Sequence, residues 1–159
     1  MNLTPPARTA AKPTVVILRR AILAILLIVL AGTEAELFLL KHVEDNWQLV
    51  PVVIIPLTAL VLIWHALSKG STALRALQTL MAISLLAGGI GVIQHYRANL
   101  IDASESDPSL SGKALYIKAT AGSIPALAPG TMVQIALLGL AFAFRHPRFR
   151  NTANGDHAS

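Results

Sequence analysis

The stretch RRAILAILLIVLAGTEAELFLLKH, residues 19–42, decides the fold class. It opens on two arginines and closes on a lysine and a histidine, and between residues 21 and 40 only Thr33, Glu34 and Glu36 interrupt its apolar and small side chains. A helix rises about 1.5 Å per residue, so about 20 such residues match a hydrocarbon core roughly 30 Å thick. The stretch reads as a membrane span. Two carboxylates inside it are costly and call for an explanation.

The same reading extends along the chain. Apolar residues make up 54% of the sequence and charged residues only 13%, and the charges avoid four long stretches. A soluble domain of 159 residues cannot bury that much apolar surface, so lipid replaces water as the solvent for much of it. The expected fold is an all-α integral membrane protein, a four-transmembrane-helix bundle with spans at about 21–40, 49–67, 74–93 and 126–144. Residues 1–13 and 147–159 read as flexible cytoplasmic tails on a membrane domain of residues 14–146.

Flanking charges set the orientation. With the N-terminus inside, the cytoplasmic side receives Arg8, Lys12, Arg19, Arg20, Lys69, Arg75, Arg145, Arg148 and Arg150, nine basic residues against the single acid Asp156. The other side receives Lys41, Arg97, Lys113 and Lys118 together with Glu34, Glu36, Glu44, Asp45, Asp102, Glu105 and Asp107. The positive-inside rule counts Lys and Arg, and so predicts both termini in the cytoplasm of a bacterial-type inner membrane. Because these basic residues flank apolar spans and form no patch interleaved with aromatics, the basic composition speaks against nucleic acid. The absence of cysteine removes iron–sulfur clusters, thiolate zinc sites and disulfides. The first span also imitates a secretory signal, but apolar character resumes at Leu37, Phe38, Leu39 and Leu40, which favours a retained span.

Local signals sharpen the other spans. Trp47 and Trp64, about 26 Å apart on a helix, mark the two interfaces of span two, and Pro56 inside it frees the carbonyl of Val52. In span three, SLLAGGIG places Ser84 and Gly88, and Ala87 and Gly91, four residues apart, a spacing that lets another helix approach closely. A neighbouring span of the same chain, a second copy and a cofactor groove all fit that spacing. Pro129 suits the first turn of span four. The connection over 96–128 is long enough to need structure of its own, and Asp107-Pro108 reads as the start of an external amphipathic helix over about 108–120. Its face of Leu110, Ala114, Ile117 and Ala121 is expected to lie over the outer mouth of the bundle.

Helical geometry separates the two carboxylates. Glu36 reaches the outer edge of the core once Arg19 and Arg20 snorkel inward, whereas Glu34 lies deeper and points about 200° away, sharing a face with Phe38, Lys41 and His42. A carboxyl group there is expected to be either protonated or paired with a cation, with Lys41 and Arg97 available as partners. Span three ends at the same level in Gln94, His95, Tyr96 and Arg97, so an outer collar forms on paper. Glu34, His42 and His95 have the chemistry to hold a divalent metal, and His42 with His95, or His65 with His146 at the inner face, could ligate haem b. The plainer reading is that histidines at span ends are interfacial polar residues.

Four spans with a membrane glutamate in the first are similar to the small multidrug-resistance transporters, which would imply proton-coupled transport through Glu34. The glutamate here lies toward one face, and the third connection is long, both departures from that pattern. No nucleophile–base pair, phosphate loop or zinc-protease motif is present. The sequence therefore points to a non-enzymatic accessory or scaffold subunit in the lipid bilayer, working with a membrane protein partner or as a homo-oligomer.

Overall fold

A computed structural model describes residues 13–39, 47–122 and 129–149. Among them the chain is all-helical, with no strand: α1 Pro13–Leu39, α2 Leu49–Leu67, α3 Thr72–Ser106, α4 Gly112–Thr120 and α5 Gly130–Ala143. Three of these, α1, α2 and α3, are long and apolar enough to cross a membrane. α5 is apolar too, but its 14 residues reach only about 21 Å. The expected start of the fourth span near residue 126 lies outside the described residues, as do most of the two expected tails.

α1 begins at Pro13, where a missing N–H costs nothing, and runs eight residues ahead of the expected span. Leu26 and Leu30 are buried, with Ile22, Leu23, Val29 and Leu37 packed beside them, while Ile17, Ile25 and Ile28 stay exposed. One stripe faces the protein and the rest faces outward, as in a helix solvated by lipid. α2 coincides with the expected second span. Its buried residues Ile54, Ile55, Thr58, Leu62 and His65 follow the helical period, and Thr58 Oγ1 donates to the Ile54 carbonyl at 2.8 Å. Pro56 sits on the exposed side.

The largest departure from expectation is α3. It does not stop near residue 93 but continues unbroken to Ser106, 35 residues or about 52 Å. Nothing between Gly91 and Asp107 breaks a helix, and Asn99 and Ala103 carry the buried stripe onward four residues apart. The break comes only at Asp107-Pro108, because a residue before proline avoids the α conformation. Asp107 is accordingly extended, with φ −146° and ψ 91°, and caps the end of α3 instead of starting the next helix. Its Oδ1 accepts from the Ser109 amide at 3.1 Å and the Ser109 hydroxyl at 2.6 Å, which holds the carboxyl below its ordinary range. α4 starts later than expected, after Ser111, and packs on α3.

Packing closes a ring: α1 lies on α2, α2 on α3, α3 on α5 and α5 on α1. The small residues of α3 explain its tight seam with α5. A Cβ at Gly88 would stand 3.0 Å from the Val133 amide nitrogen and the Met132 Cβ, and one at Gly91 would stand 2.8 Å from Pro129. Gly139 receives the Met81 side chain from the other direction. The small-residue face is thus occupied within the chain, by α5.

Candidate functional site

The ring has two polar ends. At one end, called outer after the orientation expected from the flanking charges, Glu34 stands eight and four residues after the buried Leu26 and Leu30 and is half-buried, whereas Glu36 is exposed. Glu34 Oε2 is enclosed and has no hydrogen-bond partner among the described residues. Phe38, expected on the same face, is 66% exposed. Lys41 and His42 lie outside the described residues.

Gln94, His95, Tyr96 and Arg97 occupy the interior of α3 and not its end. His95 and Tyr96 are half-buried and Gln94 and Arg97 exposed, and the Tyr96 ring lies 5.9 Å from that of Tyr116 on α4. α1 and α3 face each other across the ring, with α2 and α5 between them as packed neighbours. Glu34 and His95 therefore sit on diagonal helices, where the sequence suggested adjacent ones. Among the described residues no three His, Asp or Glu side chains gather as a metal-binding group.

Beyond this level, α3 and α4 enclose an open depression of about 710 Å³. The expected apolar face of Leu110, Ala114, Ile117 and Ala121 lines it, opposite Asn99, Asp102, Ala103 and Ser106 of α3. That face points into the cleft with α3 and does not close over the bundle mouth.

At the inner end the structure brings His65 and His146 together. Their rings meet edge to face with centroids 5.2 Å apart, and both touch Phe142, at 5.6 and 5.7 Å. His65 is buried near the end of α2, while His146 is placed by the turn after α5. Arg145, at φ 46°, reverses the chain in a left-handed conformation, and Pro147, Arg148 and Phe149 fold back against the bundle. Of the expected tail, residues 147–149 are described, and there Phe149 packs on the core and Arg148 finds partners.

Arg148 Nη1 lies 2.9 Å from His65 Nδ1 and also donates to the His65 carbonyl. A guanidinium only donates, so Nδ1 accepts and the imidazole proton sits on Nε2. The Arg148 amide makes a long 3.4 Å contact to His146 Nδ1 in the same sense. Both Nδ1 atoms are therefore turned toward donors of Arg148. The edge-to-face contact also leaves no slot for a macrocycle between the rings.

Burial pushes the His146 pKa down to about 4, with Arg19, His65 and Arg148 adding to the effect, so this imidazole is neutral at physiological pH. From α1, Arg19 Nη2 donates to the carbonyls of Phe144 and Arg145 at 3.0 and 3.2 Å, meeting acceptors that the end of α5 leaves open. Sequence reasoning missed both arginine roles. Arg148 and Arg19 read there as topology signals, and the one letter that could have pointed to the return is Pro147, which cannot continue the helix.

The class defined by this architecture is a small, all-helical chain with helices long and apolar enough to cross a membrane. Compared with protein-family models, curated proteins and solved structures, it matches none.

Proposed function

We propose that the chain is a non-enzymatic accessory or scaffold subunit of a membrane complex, a four-span protein of a bacterial-type inner membrane with both termini cytoplasmic. The apolar α5 supplies the fourth crossing. The observation that carries this reading is the α3 extension with α4. A helix about 20 Å longer than a bilayer core, doubled back at Asp107-Pro108, frames an open cleft lined by Leu110 and Ile117, with Asp102 and Lys118 at hand. Apolar residues rimmed by charges outside the membrane suit a protein partner. Ile117 is 54% exposed, so it is available for such a contact.

The test is purification of the full chain in mild detergent from its native membrane, alongside Ile117→Arg. A defined neighbour recovered with the wild type and lost from the variant supports the subunit reading. A monomer with an activity of its own overturns it, and a discrete homo-oligomer replaces the partner with a second copy.

A second reading, proton-coupled transport, is favoured by one observation, the enclosed Glu34 Oε2 on the bundle-facing stripe of α1. Uptake into liposomes abolished by Glu34→Gln but not by Glu36→Gln would select it.

A further inference from the structure

We infer that the groove between α1 and the turn after α5 binds the phosphate of an anionic phospholipid, with Arg19 and Arg20 as its cationic clamp. The groove encloses about 240 Å³ and is lined by Val16, Arg19, Arg20, Leu23, Phe142, His146 and Pro147. Among the described residues two permanent cations and no carboxylate line it. Guanidinium groups match phosphate oxygens bidentately, and they are more weakly hydrated than ammonium groups, so they suit a site at the edge of a bilayer.

The arrangement is preorganised. Arg19 is held by the two carbonyls that follow α5, of Phe144 and Arg145, both bonded through Nη2. Neutral carbonyl acceptors fix the side chain without cancelling its charge, as a carboxylate would. His146, neutral at physiological pH, lends a polar wall and leaves the charge of the groove to the arginines. Arg20 is exposed on the next position of the same helix.

Two features select a lipid over a free anion. The groove is amphipathic, with Leu23 and Phe142 on the membrane side of the arginines to take the start of an acyl chain. Its depth is also marked independently. Trp64 is the inner interfacial tryptophan of α2, and the adjacent His65 touches His146 on the groove wall. Basic pockets between spans at the cytoplasmic face are where anionic headgroups are held. The inference rests on the chain being embedded in a membrane and is independent of any protein partner.

Native mass spectrometry of the full chain in detergent tests it, with phosphatidylglycerol, phosphatidylcholine or inorganic phosphate added in turn. Phosphatidylglycerol should be retained at least several-fold over phosphatidylcholine, and removing either arginine should lower retention about fivefold. Lys113→Ala with Lys118→Ala, at the other end, should leave it unchanged. Arg19→Ala also removes the bonds to α5, so Arg20→Glu, at an exposed side chain, decides the matter if Arg19→Ala does not fold. Equal retention of the two lipids overturns the inference, as does undiminished phosphatidylglycerol binding by folded Arg20→Glu. Displacement of phosphatidylglycerol by millimolar inorganic phosphate overturns the lipid assignment in favour of a free-anion site.

Discussion

The two ends of the helix ring handle polar groups in opposite ways. At the inner end, one returning arginine serves His65 through its ring nitrogen and carbonyl, and a second arginine serves the carbonyls that close α5. At the outer end, a carboxylate oxygen is enclosed with no partner among the described residues, and a long helix extension frames an open cleft. The inner exception is Ser68 Oγ, also enclosed without a partner among those residues, but it is a neutral hydroxyl and far cheaper to desolvate than a carboxylate. The contrast teaches where the chain ties itself together: the inner histidine pair joins α2 to the chain after α5, while the enclosed carboxylate oxygen at the other end has no such tie among the described residues.

The sharpest way to break this contrast is to remove one arginine at each end. Arg148→Ala leaves the His65 imidazole and carbonyl without their donor, and an unsatisfied buried polar group costs about 1–3 kcal/mol. Arg97→Ala removes an exposed side chain and should stay within about 0.5 kcal/mol of wild type. Unfolding of both variants in the same mild detergent measures the difference. A loss from Arg97→Ala equal to that from Arg148→Ala would put the structural junction at the outer end as well.

Much of this was readable from the letters alone. The length and apolar run of α2 between its two tryptophans gave its bounds directly, because bilayer thickness fixes how many residues are needed. The Ser84 and Gly88 spacing announced a close approach, yet three partners fitted it, since a small-residue face records the gap and not what fills it. The reach of α3 was misjudged for a physical reason: hydropathy ends a span where charge begins, while a helix ends only where the backbone is broken, at Asp107-Pro108. The split between Glu34 and Glu36 followed from helical angles, and their half-buried and exposed settings differ accordingly. The diagonal placement of α1 and α3 could not be read, because ring order depends on which faces pack, and flanking charges report only depth.

Acidification should separate the ends by pH window. The folded pKa of His146 lies near 4, below the ordinary 6.5 of an unfolded histidine. Between these values the unfolded chain binds the extra proton, so the stability associated with neutral His146 is complete above pH 6.5 and is lost as pH falls toward 4. The new charge would face Arg19 from α1, His65 from α2 and Arg148 from its own turn. Partial exposure lets solvent soften the penalty, so the effect should fall below that of Arg148→Ala. The Asp107 cap of α3 behaves differently, since its carboxyl is held below the ordinary 3.8 and its contribution is lost only as pH falls through that lower value. Melting temperatures from pH 8 to pH 4 should therefore slope downward in the wild type and flatten in His146→Gln. An unchanged slope in the variant would remove His146 as the sensor.

The smallest effect is the one that bears most directly on function. If Glu34 is enclosed without a partner, replacing it by an apolar side chain of similar reach relieves an unmet desolvation cost, and Glu34→Leu should be more stable by up to about 1 kcal/mol. Glu36→Leu should change stability little, because that carboxylate is exposed. Natural proteins keep destabilising groups where they use them, so a gain in stability at residue 34 coupled to a loss of partner recovery or of proton-coupled uptake would mark it as functional. A loss of stability in Glu34→Leu would mean instead that the carboxylate is paired, with Lys41 and His42, a few residues on in the sequence, the candidates to substitute next. The outer end would then be as internally satisfied as the inner one, and the open cleft between α3 and α4 would be left as the place to look for function.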